Sequence, residues 1–166
     1  MTIPDGKLYM DGELGNGTIA TTESPAINTE TAGADIGFGA GVVMQDGNVV
    51  PATSGNIYGV ALKRTYINGD RYADVVNDHW DSGETLGVVR DGTIAVPITE
   101  DVDRGDKAAV TTDGKFKQAG TEDTVVGVFL SSGNADGTAN LQTRVQLVNN
   151  STPASNTNST PASKIN

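Results

Sequence analysis

The chain reads as an all-β protein, a small antiparallel β-barrel or sandwich, on three observations: period-2 alternation of apolar residues, Asp-Gly and Asn-Gly pairs between the alternating runs, and an abundance of glycine. The stretch from Glu84 to Phe116 carries the pattern most fully. Leu86 and Val88 alternate with Gly87 and Val89, and Ile94, Val96 and Ile98 alternate with Thr93, Ala95 and Pro97. Asp91-Gly92 between the two runs predicts a two-residue hairpin turn, because a type I′ turn needs positive φ at both central residues. After Arg104-Gly105-Asp106 the alternation resumes at Ala108 and Val110, turns at Asp113-Gly114 and restarts at Phe116. Two successive hairpins are expected here.

Ahead of this stretch, alternation begins near Asp35 with Ile36 and Phe38, continues through Val42 and Val43, turns at Asp46-Gly47 and returns through Val49 and Val50. A further strand is expected from Ile57 to Lys63, then a turn at Asn68-Gly69. From Asp70 to Ser82 the pattern is ambiguous: Tyr72, Val75, Val76 and Trp80 have near-helical spacing, yet the β-branched content suits a strand. The last strand, from Ala139 to Val148, is the cleanest. Apolar residues or Thr fall on its odd positions and polar ones on its even positions through Gln146, so one face is buried and the other wet.

An internal repeat joins the halves. Gly41 to Val49 matches Ala108 to Phe116 at an offset of 67, and Ile57 to Leu62 matches Val125 to Leu130 at an offset of 68. Each half is a hairpin, a loop, and a strand bearing a glycine where backbone approaches closely.

The ends differ from this centre. Residues 1–34 show weak periodicity, broken by Asp5-Gly6, Asp11-Gly12 and Asn16-Gly17, and are expected to form an extended N-terminal arm. Residues 35–148 hold the β-domain. Residues 149–166 are a low-complexity C-terminal tail in which Ser-Thr-Pro-Ala-Ser recurs, with too little apolar surface to repay ordering entropy.

Composition excludes several function classes. Net charge is −10, with −4 in residues 1–34, +1 in the tail and −7 between them, so no nucleic-acid partner is expected: phosphate backbones are bound by lysine and arginine. With no cysteine, neither a disulfide framework nor a thiolate metal site is available. No signal peptide and no stretch of about 20 apolar residues is present, so export by a leader and a membrane span are not expected.

Candidate chemistry fails residue by residue. Gly37-Phe38-Gly39-Ala40-Gly41 departs from a dinucleotide fingerprint at Val42. Asp101-Val102-Asp103-Arg104-Gly105-Asp106 resembles the start of a calcium loop, but its glycine is misplaced and Thr112 stands where a bidentate Glu is needed. His79, in Asp78-His79-Trp80-Asp81, is the one histidine and has no nucleophile motif beside it. Trp80 and Tyr72 are expected in the core rather than on a binding face. No catalytic, cofactor-binding or metal residue is assigned.

The order of these features resembles the head decoration, or structural cement, proteins of tailed bacteriophages. The resemblance runs from Ile36 to Val43, through Ile57 to Leu62, Gly83 to Val96 and Arg104 to Val110, to Gly114-Lys115-Phe116 and the strand from Val125 to Leu130. It implies a non-enzymatic β-domain with an N-terminal arm, commonly a homotrimer, on the outer surface of the capsid, bound to the major capsid protein. The tail maps onto nothing in that family. Two other readings compete: a carbohydrate- or receptor-binding β-module of a phage fibre, which needs exposed aromatics, and a hydrolase, which needs two acids converging in a cleft.

Overall fold

The computed structural model describes residues 14–65 and 78–144. Their strands are β1 (Ala26–Thr31), β2 (Ile36–Gly37), β3 (Gly41–Gln45), β4 (Asn48–Pro51), β5 (Gly59–Ala61), β6 (His79–Trp80), β7 (Thr85–Pro97), β8 (Lys107–Val110), β9 (Phe116–Gln118), β10 (Gly127–Phe129) and β11 (Thr138–Arg144). Nine of them form one sheet in the order β4-β3-β5-β7-β11-β10-β8-β9, with β1 also on β7, while β2 and β6 pair apart. The named pairings are antiparallel, and the sheet curls on itself. The all-β expectation is met. Asn68-Gly69 and Tyr72 lie outside the described residues.

Strand β7 corrects one expectation. Asp91-Gly92 is not a turn: the chain runs through it as one strand of 13 residues. Asp91 is paired on both sides, with Ala26 of β1 and Arg144 of β11, and Gly92 takes a φ of 154°, a positive value that glycine accommodates within the strand. Pairing with three strands outweighed the local turn preference. The other two pairs do turn. Asp46 and Gly47 have φ of 51° and 82°, and Asp113 and Gly114 have 65° and 70°, the left-handed region that a tight hairpin demands.

The repeat is structural as well as sequential. β3 and β4 form a hairpin, β5 pairs with the other side of β3, and β7 pairs with β5. In the second unit β8, β9, β10 and β11 repeat those steps. β1 on the first part of β7 corresponds to the second part of β7 on β11, so β7 closes one unit and opens the next. Each ring is completed by a parallel bridge, Ala32 to Val49 in one and Ile98 to Phe116 in the other. The register corrects the alignment of the first strand, where the offset is 66. Val42 faces Gly59 as Ala108 faces Gly127, and the second turn is one residue longer.

Gly59 and Gly127 sit at the equivalent crossing. A Cβ on Gly59 would lie 2.6 Å from the Val89 carbonyl oxygen, and one on Gly127 would lie 2.4 Å from that of Gln142, so neither position has room for a side chain.

Two apolar clusters fill the fold. One joins Ala32, Ile36, Val42, Val49, Ala61, Trp80, Leu86 and Val88 inside the first unit. The larger joins Phe116, Phe129, Ile98 and Leu141 of the second unit with Ile57, Val60 and Val89 of the first. Neighbouring residues of β7 face opposite ways, Val88 into one cluster and Val89 into the other, which is how alternation along one strand supplies two cores. The core begins before residue 35: Ala32 is buried, and β1, within the stretch read as an arm, belongs to the main sheet.

Candidate interaction surface

The acidic loop from Asp101 to Asp106 uses its carboxylates on backbone. Asp101 accepts a hydrogen bond from the Ala135 N–H at 2.8 Å, and Asp106 accepts one from the Asp103 N–H at 2.9 Å. Asp35 does the same for the Ser82 N–H at the equivalent place in the first unit. Among the described residues no three His, Asp or Glu side chains are grouped to hold a metal ion.

His79 lies between two carboxylates, with Nδ1 2.9 Å from Asp78 and Nε2 3.1 Å from Asp81. The hydrogen bond from His79 holds the Asp78 carboxyl below the usual carboxylate range. Beneath them Trp80 is buried, its Nε1 donating to the Leu62 carbonyl at 2.7 Å, with the Phe38 ring edge-on at 5.8 Å. The buried Arg64 guanidinium stacks 4.4 Å from the Trp80 ring and forks onto both oxygens of Glu84, at 2.9 and 2.5 Å. This cluster locks β6 onto the first unit. It contains no nucleophile paired with a base.

Gly39 of the glycine-rich stretch packs against backbone, where a Cβ would meet the Gly17 nitrogen at 2.8 Å and the Ala95 oxygen at 2.9 Å. Close packing explains that glycine. A cleft of about 310 Å³ beside it is lined by Asn16, Phe38, Asp78, Pro97, Asp113 and Lys115, without the converging acids that glycoside hydrolysis requires.

What remains is surface. On the open side of the first unit, Asn28 donates to the Tyr58 hydroxyl at 2.9 Å, Tyr58 donates to Glu30 at 2.5 Å, and the Arg90 guanidinium lies 3.7 Å over the Tyr58 ring. Exposed apolar side chains stand elsewhere: Leu14, Ile27 on β1, Met44 on β3, and Val125, Val128 and Leu130 on and beside β10. The sequence reading singled out none of these, since single exposed apolar residues in a strand look like half of any alternating pattern. The described aromatics are buried or half-buried, as a fibre module binding sugars through exposed rings would not have them.

A family model described as "Structural cement protein (E217 gp24/Pam3 gp6)" matches residues 9–144. The chain belongs to this family of phage structural cement proteins. It is a non-enzymatic structural protein of the virion, placed on the outer surface of the head and associated with capsid proteins. No helix among the described residues of this cement protein is long and apolar enough to cross a membrane. Among solved structures it is similar to the N base of the head fiber gp8.5 of bacteriophage phi29, at 14% identity and a TM-score of 0.49, over 72% of this chain and 94% of that one. No curated protein matches the sequence.

Proposed function

We propose that this cement protein binds the major capsid protein as a homotrimer and clamps neighbouring capsid subunits from outside, using the β-domain together with residues 1–13 and, to a smaller extent, residues 149–166. The observation that carries this reading is the family match over residues 9–144, beside a described surface whose polar clusters are engaged in holding the fold. Binding of this kind is many modest contacts repeated over a shell, so avidity multiplies each one. The net charge of −10 suits a basic capsid surface and keeps free trimers apart from one another in solution.

The test adds the intact chain, the chain lacking residues 1–13 and the chain lacking residues 149–166 to undecorated heads. Bound copies and resistance of the heads to heat are then measured. The first cut stops at residue 13 because β1 and Ala32 belong to the folded sheet. Loss of residues 1–13 should lower occupancy about tenfold or more at fixed concentration through lost avidity, and loss of the tail should lower it less. Full binding and full heat resistance without residues 1–13 would remove the clamp from this reading.

A further inference from the structure

We propose that the face formed by Val125, Val128 and Leu130, on and beside β10, is where copies of this chain join one another, apolar face against apolar face about a rotation axis. The proposal rests on the self-association read above and names its surface.

The argument comes from the duplication. At the offset of 68 that superposes β5 on β10, these residues correspond to Ile57, Val60 and Leu62 of the first unit. There the second unit covers them: Ile57 and Val60 are 6% and 0% exposed and cluster with Val110, Phe116, Ile94 and Leu141, and Leu62 packs on the same cluster. In the second unit Val125, Val128 and Leu130 are 47%, 37% and 37% exposed. The same strand face that is an interface inside the molecule is thus repeated, still apolar, on its outside. Lys107 and Gln142, the direct cross-strand partners of Val128, give it a polar border, the arrangement of an interface core and rim.

The opposite free side of the first unit shows what a sealed end looks like. Where the second unit has Ile94, Val96 and Val126, the first has Asn28, Glu30 and Tyr58, tied to one another and roofed by Arg90. Repeat proteins end in such polar caps. Head-to-tail stacking of copies would press the apolar face onto this cap and strip water from Glu30 and Arg90 while offering no polar group in return. Gathering the apolar faces around a threefold axis avoids that, and cyclic symmetry closes the assembly at three copies.

The experiment is sedimentation of the full chain across micromolar concentrations, as wild type, Val128→Asp, Leu130→Lys and Met44→Asp, with circular dichroism to establish folding. Met44 is equally exposed and apolar but corresponds to Val110 on the capped side, so it serves as the control. Wild type and Met44→Asp should assemble alike, while Val128→Asp and Leu130→Lys need at least about tenfold more protein to do so. Leu130 lies just past β10, so Leu130→Lys keeps the test decisive if Val128→Asp does not fold. Folded Val128→Asp and Leu130→Lys chains that assemble as tightly as wild type would overturn the proposal, whether or not they still bind heads. Disruption by Met44→Asp alone would overturn it too. A wild-type chain that is monomeric throughout overturns the self-association reading itself.

Discussion

The two units share one topology and reach a filled interior by different means. Phe116 and Phe129 of the second unit correspond to Val49 and Ala61 of the first, so the first ring has two much smaller side chains at those places. The deficit is met by Trp80, which pairs with Ile36 as Gly133 bridges to Val102 in the second unit. A Cβ on Gly133 would lie 2.9 Å from the Thr138 carbonyl oxygen and 2.7 Å from the Ile98 side chain, so that unit has no room for a side chain there. Volume is conserved ring by ring rather than position by position, which is what close packing requires.

The comparison predicts where each unit is fragile. Phe116→Ala and Trp80→Ala should each cost about 3–5 kcal/mol, although they occupy non-equivalent places, whereas Val49→Ala, at the position equivalent to Phe116, should cost about 1.5–2 kcal/mol for two methyl groups. Urea unfolding midpoints measure all three. A Val49→Ala loss as large as that of Phe116→Ala would mean that Trp80 does not compensate for the smaller side chains.

The next effect belongs to the first unit alone. Trp80 carries the buried Arg64 against its ring, and Glu84 satisfies that charge. Glu84→Ala leaves the guanidinium buried without its carboxylate and should cost about 3 kcal/mol, while the double change Arg64→Met with Glu84→Leu should recover most of the loss. The same unfolding measurement decides. A double variant no more stable than Glu84→Ala would show that the cluster is held by shape and not by charge.

The smallest effect lies in the second unit, where Lys117 and Asp123 meet at 2.7 Å on the surface. Their hydrogen bond holds the Lys117 ammonium above its ordinary range and the Asp123 carboxyl below its own. The carboxylate's contribution is therefore complete above about pH 4 and lost as acid carries the pH through its lowered value. The lysine's is complete below about pH 10 and lost as base carries the pH through its raised value. Asp123→Asn should lower the melting temperature slightly at pH 7 and not at all near pH 2. An equal difference at both pH values would show that the effect does not come from the carboxylate's charge.

Much of the fold was legible in the chain because its signals are local. Alternation placed Ala139, Leu141 and Thr143 on the buried side of β11, Asp46-Gly47 and Asp113-Gly114 marked turns, and the repeat at offsets near 67 marked the two units. The failed signals were those whose outcome depends on partners distant in sequence. Asp91-Gly92 has the residues of a turn, yet β1 and β11 pair with Asp91 from both sides and hold the strand extended. Ala26–Thr31 has too few apolar residues to form a core and still becomes a strand, because the free side of β7 offers its backbone hydrogen bonds. The surface proposed for self-association was likewise hidden, since Val60 and Val128 occupy matching places in matching sequence runs. The second unit folds over Val60 and makes it core, while among the described residues Val128 stays exposed.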